Sequence, residues 1–479
     1  MEVDGAYATL VGGQLTGARS GDRRVNMGAV TNLVGGVTRW KRRLDWLISH
    51  VASRDIDTLE LPVRLMLRIG FYEVLQLEVP PHTVNEHVEL TKQLSPGGAQ
   101  LVNAVLRNLL RAKDAGQLPR VEQPGPGATA AEHADAMAVA SSHPTWLVER
   151  WLERFGTEGT LKLLNHNNGP PSFGLRPSIA RGATVDSVRR AAEELGVEVA
   201  PSRYLPREFL VVRSGLGDLL RAGIVAEGRA AVQDESAGCV VAVLNPQPGD
   251  RVLDCCAAPG GKAMFSAARM GPTGRVLALD LHESRVQAMD KAAELQGLRK
   301  VVATMAVDLH VFSKKWRQAV AAERPLGADG EFPRSAKERE ALQPFCDPAT
   351  GVPELFDRVL LDAPCTGLGT LSRRADIRWQ RSLEDLKELT QLQARLLDAA
   401  APLVKPGGLL VYSTCTMEPE ENGAQVEAFL RRHAGAFTLE PVPEGKVHPQ
   451  VVAPEGWMAT LPQRDGIDGA FAARLRRRS

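Results

Sequence analysis

The sequence predicts a multidomain protein: an all-α N-terminal bundle, a small α+β central module, and a C-terminal α/β domain of the doubly wound, Rossmann-like kind. Three observations carry this prediction. Apolar residues recur at helical spacing through residues 1–112, a Pro- and Gly-rich break follows at 113–135, and short apolar runs alternate with helical stretches from Val240 onward. The length of 479 residues accommodates about three domains of ~150 residues.

In 63–78, Val63, Met66, Leu67, Phe71, Val74 and Leu77 fall close to helical spacing, and Leu101, Val102, Val105, Leu106, Leu109 and Leu110 repeat it. Pro80-Pro81 separates two of these helices. Residues 113–135 contain Gly-Gln-Leu-Pro and Gln-Pro-Gly-Pro-Gly-Ala-Thr, a density of breakers that marks a linker. A further helix is expected from His143-Pro-Thr-Trp146 to about Asn165. Phe173 to Pro177 and Phe209 to Arg213 read as strands and Val185 to Leu195 as a helix, so 136–228 forms the central module.

The C-terminal domain, 229–479, carries five short apolar runs: 251–254, 275–280, 301–308, 358–362 and 408–412. They read as buried parallel strands with helices between them. Four of the five end in or beside an Asp. In a doubly wound sheet ligands sit beyond the carboxyl ends of the strands, so these acids point at the site. Residues 317–353 break the rhythm with Gly-Ala-Asp-Gly, several charges and three prolines. They read as a surface insertion and a candidate for disorder.

Composition narrows the class. Hydrophobic residues make up 44% and charged residues 24%, as in ordinary globular proteins. No apolar run approaches the ~20 residues of a membrane span. The first residues lack the basic and apolar regions of a secretory signal and the Arg- and Ser-rich character of a transit peptide. The six cysteines, Cys239, Cys255, Cys256, Cys346, Cys365 and Cys415, include no Cys-x-x-Cys pair. That speaks against zinc and against a redox motif; no metal is expected, and a reducing compartment fits. Net charge is +1, so charge balance alone does not announce nucleic acid. Basic residues nevertheless cluster at Arg19, Arg23, Arg24, Arg39, Lys41, Arg42 and Arg43, and again at Arg373, Arg374, Arg378 and Arg381. Such clusters are either phosphate-binding patches or solvated helix faces.

Four motifs carry chemistry. Asp254-Cys-Cys-Ala-Ala-Pro-Gly-Gly-Lys262 directly follows a strand. Gly260 and Gly261 allow close approach of a ligand to the backbone at the start of a helix. Cys256 and Ala263 stand where a P-loop needs Gly and Ser or Thr, and the dinucleotide fingerprint is missing, so phosphate cradling is disfavoured. A glycine turn after the first strand of such a sheet is also where S-adenosylmethionine binds in methyltransferases. Asp280 closes the next strand, about 20 residues on, where an acid can accept from ribose hydroxyls. Asp308 closes the third and is placed to approach adenine. Either could instead be a helix N-cap. Asp362-Ala-Pro-Cys-Thr-Gly-Leu-Gly369 and Tyr412-Ser-Thr-Cys-Thr416, the latter followed by Glu418-Pro-Glu-Glu-Asn422, each put a cysteine just past a strand end. A lone buried cysteine is usually inert; two at one sheet edge beside Asp362 are not easily read that way.

In content, order and spacing these motifs resemble the signatures of the Nop/Sun family of RNA cytosine-C5 methyltransferases, and within it the bacterial RsmB (Sun, Fmu) group, which acts on 16S ribosomal RNA. Gly35-Gly-Val-Thr-Arg39, Leu65-Met-Leu-Arg-Ile-Gly-Phe-Tyr72 and Leu101-Val-Asn-Ala-Val-Leu-Arg107 resemble the NusB-like helical domain that opens that group. Ser142-His-Pro-Thr-Trp146 and Gln233-Asp-Glu-Ser236 resemble its central region. Arg373-Arg-Ala-Asp-Ile-Arg-Trp379 and the insertion look closer to plant and algal plastid versions. The resemblance spans nearly the whole chain. It departs at the N-terminus, which is short of part of the first NusB-like helix, at Asp254-Cys255 where Asp-Leu is more usual, and in the length of the insertion.

The resemblance implies S-adenosyl-L-methionine as cofactor. Cys256, Ala257, Ala258, Pro259, Gly260, Gly261, Lys262, Asp280, Asp308 and Asp362 would hold it. It implies Cys415 as the nucleophile that adds to C6 of cytosine, Cys365 as the residue assisting release, and Asp362 at the N3/N4 edge of the base. Addition of a thiolate gives C5 enamine character and splits one hard step into easier ones. An ordinary thiol, with a pKa of ~8.5, needs an electropositive setting for this; Lys262 and the cofactor are the candidates. The partner is RNA, taken as a single-stranded or flipped-out base, and the protein is expected to be a soluble monomer without membrane or metal. A bacterial version would sit in the cytoplasm, a plant or algal one in the plastid stroma. The rivals are methylation of transfer or large-subunit RNA, a non-catalytic NusB-like RNA-binding protein, a nucleotide hydrolase, and a small-molecule methyltransferase.

Overall fold

The structure is a computed structural model that describes residues 27–327, 332–333 and 335–479. The chain divides into two compact units. The first holds the described residues up to Pro170 together with Leu371–Gln380, and the second holds Pro171–Thr370 and Arg381–Ser479.

The first unit is all-helical: α1 (Met27–Ala52), α2 (Leu61–Tyr72), α3 (Thr83–Leu94), α4 (Ala99–Asp114), α5 (Ala130–Ser141) and α6 (Thr145–Asn168). Leu44, Leu47, Ile48, Leu67, Phe71, Val102, Leu106 and Leu109 form its core. The helix expected over 63–78 ends at Tyr72 and continues as a five-residue π-helical turn, Glu73–Leu77. Gly36 faces the Tyr72 ring so closely that a Cβ there would lie 2.0 Å from the ring's Cζ. Helix α5 begins inside the stretch read as linker, because Thr129 and Glu132 form a reciprocal capping box, worth about 1 kcal/mol.

From the two basic clusters, Arg39, Arg42, Arg43 and Arg378 are internal ties of this unit. The Arg42 guanidinium donates to the His143 carbonyl at 2.7 Å, Thr145 Oγ1 at 2.9 Å and Asp135 Oδ1 at 2.7 Å. Arg39 donates to the Ser372 carbonyl at 2.6 Å, and Trp379 Nε1 to the Thr38 carbonyl at 2.7 Å. Arg378 is fully buried and donates to the carbonyls of Ser142 (3.1 Å) and Asn167 (3.2 Å) and to Asn168 Oδ1 (2.9 Å). Burial, with Arg39 nearby, lowers its pKa to about 9. Arg378 is therefore not solvated, and the Arg42 guanidinium, one-quarter exposed, is already engaged by three acceptors. Arg19, Arg23 and Arg24 lie outside the described residues.

The second unit opens with an antiparallel sheet in the order β2-β3-β1-β4, built from β1 (Phe173–Pro177), β2 (Val199–Pro201), β3 (Leu210–Val212) and β4 (Ala230–Val232). Helices α7 (Val185–Glu194) and α8 (Leu216–Arg221) accompany it. Its core is Leu175, Val188, Ala192, Leu210, Val212 and Leu219. Helix α9 (Glu235–Leu244) then leads into the large sheet.

That sheet contains β5 (Arg251–Asp254), β6 (Arg275–Asp280), β7 (Val302–Ala306), β8 (Phe356–Asp362) and β9 (Val404–Thr414), all parallel, with β10 (Phe437–Glu440), β11 (Met458–Thr460) and β12 (Ala470–Arg477) antiparallel at one edge. The order is β10-β12-β9-β8-β5-β6-β7, with β11 on β12. The helices are α10 (Gly261–Met270), α11 (Glu283–Leu295), α12 (Leu309–Ala321), α13 (Ala336–Leu342), α15 (Leu383–Ala400), α16 (Gly423–Arg432) and α17 (Pro462–Asp465), while α14 (Ile377–Gln380) belongs to the first unit. Successive strand residues enter opposite cores. Val252, Val276 and Leu360 pack on one face, and Leu253, Leu277 and Leu361 on the other. This is why the strands read as unbroken apolar runs.

The insertion is not merely a surface feature. Helix α12 occupies its start, α13 lies within it, and Phe332, Leu342 and Phe345 are buried in the core with Trp316 and Phe356. The aromatic rings that made the segment foldable are too sparse to show a period. Among the described residues no helix is long and apolar enough to cross a membrane.

Candidate active site

Strands β8 and β9 are neighbours, with Asp362 opposite Ser413. Their continuations therefore leave the sheet side by side. The loop after β8 brings Cys365, and the loop after β9 brings Cys415, so that their sulfur atoms lie 3.3 Å apart. The Cys415 amide also faces Cys365 Sγ at 3.4 Å. Both side chains are half-buried. Gly369 permits the approach: its amide donates to the Cys415 carbonyl at 3.1 Å, and a Cβ at 369 would stand 2.9 Å from that oxygen and 2.5 Å from the Gly469 carbonyl. The hydrogen bond with Cys415, together with burial, raises the Cys365 thiol well above its ordinary value.

The same edge gathers charge. Lys262 Nζ donates to Asp362 Oδ2 at 2.6 Å, and Ser413 Oγ donates to Asp362 Oδ1 at 2.7 Å. Burial pulls the Lys262 pKa down, but Asp362, Cys415 and Asp254 outweigh it, and the ammonium is held charged. Lys262, one of the two electropositive candidates named from the sequence, thus carries its charge within electrostatic reach of Cys415.

The loop after β5 turns tightly. The Ala257 amide donates to the Leu279 carbonyl at 2.8 Å and the Gly260 amide to the Ala257 carbonyl at 2.7 Å. Gly260 has φ +98°, which calls for glycine, and a Cβ there would press on Met289 Cγ at 3.1 Å. Cys256 and Ala258 are partly exposed on this loop, Ala257 is buried and Pro259 is exposed. Burial, reinforced by Asp254, pushes the Cys256 thiol far up, which leaves it a neutral wall residue.

Asp280 ends β6 as expected, and its Oδ1 accepts from the His282 amide at 3.0 Å. Asp308 does not end β7; it stands two residues beyond Ala306 as the N-cap of α12, with Oδ1 accepting from the His310 (2.9 Å) and Val311 (3.2 Å) amides. The capping reading is met by Asp308 alone; the helix after β6 has His282 at its N-cap, and Asp280 only accepts from that residue's amide.

Two residues of this edge were not singled out as site residues from sequence. Asp254, 1% exposed, makes no well-formed hydrogen bond through either carboxylate oxygen among the described residues, with the Cys256 amide as its nearest donor. Burial, then Asp362, raises its pKa to about 8; Lys262 and the Cys256 amide oppose the rise. Gln233 accepts from Arg176 Nε at 2.8 Å, while its Nε2 is buried without a partner among the described residues and lies 3.4 Å from the position of a Cβ on Gly261. Buried polar atoms left over in this way call for a ligand or a strain account. Asp254 opens the glycine motif, so the signal was present but was spent on the glycines.

A doubly wound sheet with a glycine turn after its first parallel strand, acids beyond the next two and an antiparallel edge strand defines the class of S-adenosylmethionine-dependent methyltransferases. The chain belongs to the family described as 16S rRNA methyltransferase RsmB/F, which matches residues 241–326 and 336–476, and the NusB family matches residues 15–111. It is 33% identical to the probable ribosomal RNA small subunit methyltransferase B of Synechocystis, over 93% of this chain and 90% of that one. It is 31% identical to ribosomal RNA small subunit methyltransferase B of Salmonella arizonae, over 92% and 88%. The crystal structure of PH0851 superposes with a TM-score of 0.70 at 25% identity, covering 95% of this chain and 91% of that one. The all-helical N-terminal portion and the Rossmann-like C-terminal domain read from the sequence agree with these matches. The site suits the cofactor: the turn at Gly260 leaves room for close approach, and Asp254 and Gln233 present unsatisfied polar atoms beside it.

Proposed function

We propose that this protein methylates C5 of cytosine in RNA, with small-subunit (16S-type) ribosomal RNA as the substrate, through a covalent adduct with Cys415. One observation supports this above the rest: two cysteine sulfurs 3.3 Å apart, at the tips of adjacent parallel strands. A methyltransferase of small molecules has no need of such a pair. The relatives named for small-subunit ribosomal RNA supply the substrate class.

The cofactor would be held by residues 256–262, Asp280, Asp308 and Asp362, and when bound it supplies an electrophilic methyl group. Cys415 adds as thiolate to C6 of the cytosine, which gives C5 the electron density it otherwise lacks. Lys262 favours that thiolate by its charge, within the network it shares with Asp362. Asp362 faces the N3/N4 edge of the base and supports its transient protonation. C5 then takes up the methyl group, its proton is lost to water, and the Cys415–C6 bond breaks as the ring is restored; Cys365, held as a thiol, assists release by donating to the departing Cys415 thiolate. Separating the two sulfurs into one attacking and one protonated partner is what their shared position favours: two thiolates at that distance would repel.

Bisulfite sequencing of small-subunit ribosomal RNA from cells with and without the protein tests the reading. A single protected cytosine that disappears in its absence and returns with wild type, but not with Cys415→Ala, is the expected result. An unchanged pattern of protected cytosines sinks it.

A further inference from the structure

Glu421 lies outside the residues assigned above, yet it holds more of the two-cysteine site than any other side chain. It sits at the end of the 3₁₀ turn Pro419–Glu421, fully buried. Its Oε1 accepts from the Thr366 amide at 2.8 Å and from Gln393 Nε2 at 2.9 Å, and its Oε2 accepts from Thr366 Oγ1 at 2.5 Å. Thr366 is the residue after Cys365. Its hydroxyl also meets Thr416 Oγ1, on the residue after Cys415, at 2.9 Å. Both loops are thus referred to one carboxylate.

The surroundings hold that carboxylate in turn. Gln393, from α15, donates also to the Pro364 carbonyl at 2.9 Å, so it braces the residue before Cys365. Tyr412 donates to the Glu421 carbonyl at 2.6 Å. Asn422 Nδ2 donates to the Thr416 carbonyl at 3.0 Å, and Thr414 Oγ1 donates to Asn422 Oδ1 at 2.6 Å. The partners of the Glu421 carboxylate, Thr366, Gln393 and the neighbouring Thr416 hydroxyl, are neutral. A buried carboxylate without a cation is costly, and burial raises its pKa despite these bonds. An apolar residue would serve a plain core position better.

Resting on the reading of Cys415 as nucleophile and Cys365 as its partner, we infer that Glu421 is a positioning residue that fixes the spacing and relative aim of the two cysteine side chains. It touches neither sulfur and acts through Thr366, Thr416 and Gln393. Its contribution therefore belongs to kcat, since binding of cofactor and RNA uses other groups. Displacement of a reacting group by about 1 Å costs on the order of 100-fold in rate.

The test compares wild type with Glu421→Ala, Glu421→Gln and Thr366→Val in the full-length protein, with a ribosomal RNA fragment and S-adenosylmethionine. Glu421→Ala should lower kcat on the order of 100-fold while KM for RNA and cofactor affinity stay within about threefold. Glu421→Gln should recover most of that loss, because Oε1 still accepts from Thr366 and Gln393, and the Thr366 hydroxyl turns to donate to Thr416 while accepting from the new amide. Thr366→Val, a near-isosteric change, should lower kcat about tenfold, and it decides the matter if Glu421→Ala fails to fold. The inference is overturned if Glu421→Ala keeps kcat within about threefold of wild type, if its loss lies in KM or cofactor affinity, if Glu421→Gln is no better than alanine, or if Thr366→Val leaves kcat unchanged. Cys415→Ala separates the two layers: full activity there removes the underlying reading, whereas an inactive Cys415→Ala beside a fully active Glu421→Ala removes only the role of Glu421.

Discussion

Lys262 Nζ lies 2.6 Å from Asp362 Oδ2, which joins the first turn of α10 to the tip of β8. The pair is partly sheltered, at 17% and 27% side-chain exposure, and Asp254 and Cys415 add to the field around it. Lys262→Met keeps most of the stem and removes the charge. We expect cofactor affinity to fall about tenfold or more, as one charge-assisted contact would give. We also expect the rate of Cys415 alkylation by iodoacetamide at pH 7 to fall. Calorimetry and mass-spectrometric alkylation kinetics measure the two effects; no change in either would separate Lys262 from the site.

The two cysteines should fail in different ways. Cys415→Ala is expected to abolish methyl transfer, and Cys365→Ala to let a covalent RNA adduct accumulate because release stalls. Denaturing gel electrophoresis with labelled RNA distinguishes them. An active Cys415→Ala beside a dead Cys365→Ala would exchange the two roles.

Asp254 gives the cofactor-free protein a pH signature. Its pKa is raised from the ordinary value near 3.8 to about 8, so the folded state binds a proton that the unfolded state has released across that window. Its contribution to stability is thus fully present below about pH 4 and lost as pH rises through about 8. Asp254→Asn keeps the neutral shape without this titration. Thermal unfolding from pH 5 to 9 should show the variant gaining on wild type as pH increases. A constant difference across the range would mean that Asp254 does not carry the raised pKa.

Arg378 is a structural residue by the same kind of accounting. Arg378→Ala leaves the carbonyls of Ser142 and Asn167 and the Asn168 side chain without their donor. Losing several buried hydrogen bonds to a charged group should cost at least about 3 kcal/mol. Chemical denaturation would show it. A loss below about 1 kcal/mol with weakened RNA binding would instead return Arg378 to the nucleic-acid patch that its sequence neighbourhood suggests.

That contrast shows where the sequence was informative. The five parallel strands were legible because each buries both faces and so reads as an apolar run, and the acid or cysteine past each end marked the binding edge. Asp362, Cys365 and Cys415 could be placed together because neighbouring parallel strands must end side by side. Helix α5 was missed although Thr129-Ala-Ala-Glu132 is a capping-box signature; the prolines and glycines just before it dominated the reading. Strands β2 and β4 have three residues each, too few to show alternation. The burial of Arg378 depends on carbonyls more than 200 positions away in the sequence, and a local run of arginines carries no trace of that. Glu421 was visible only as one acid among several, since its partners Thr366 and Gln393 lie 55 and 28 residues distant.

Residues Leu371–Gln380 count with the first unit although the chain on either side of them counts with the second. The polypeptide therefore passes from one unit to the other three times, near 170, 370 and 380, and no single cut separates them. A fragment beginning at residue 171 would carry Ile377, Arg378 and Trp379 without Thr38, Ser142 or Asn167 to receive them, and would present a buried guanidinium and two large apolar side chains to water. Halves made by division at the obvious boundary should be insoluble apart and should regain solubility when produced together.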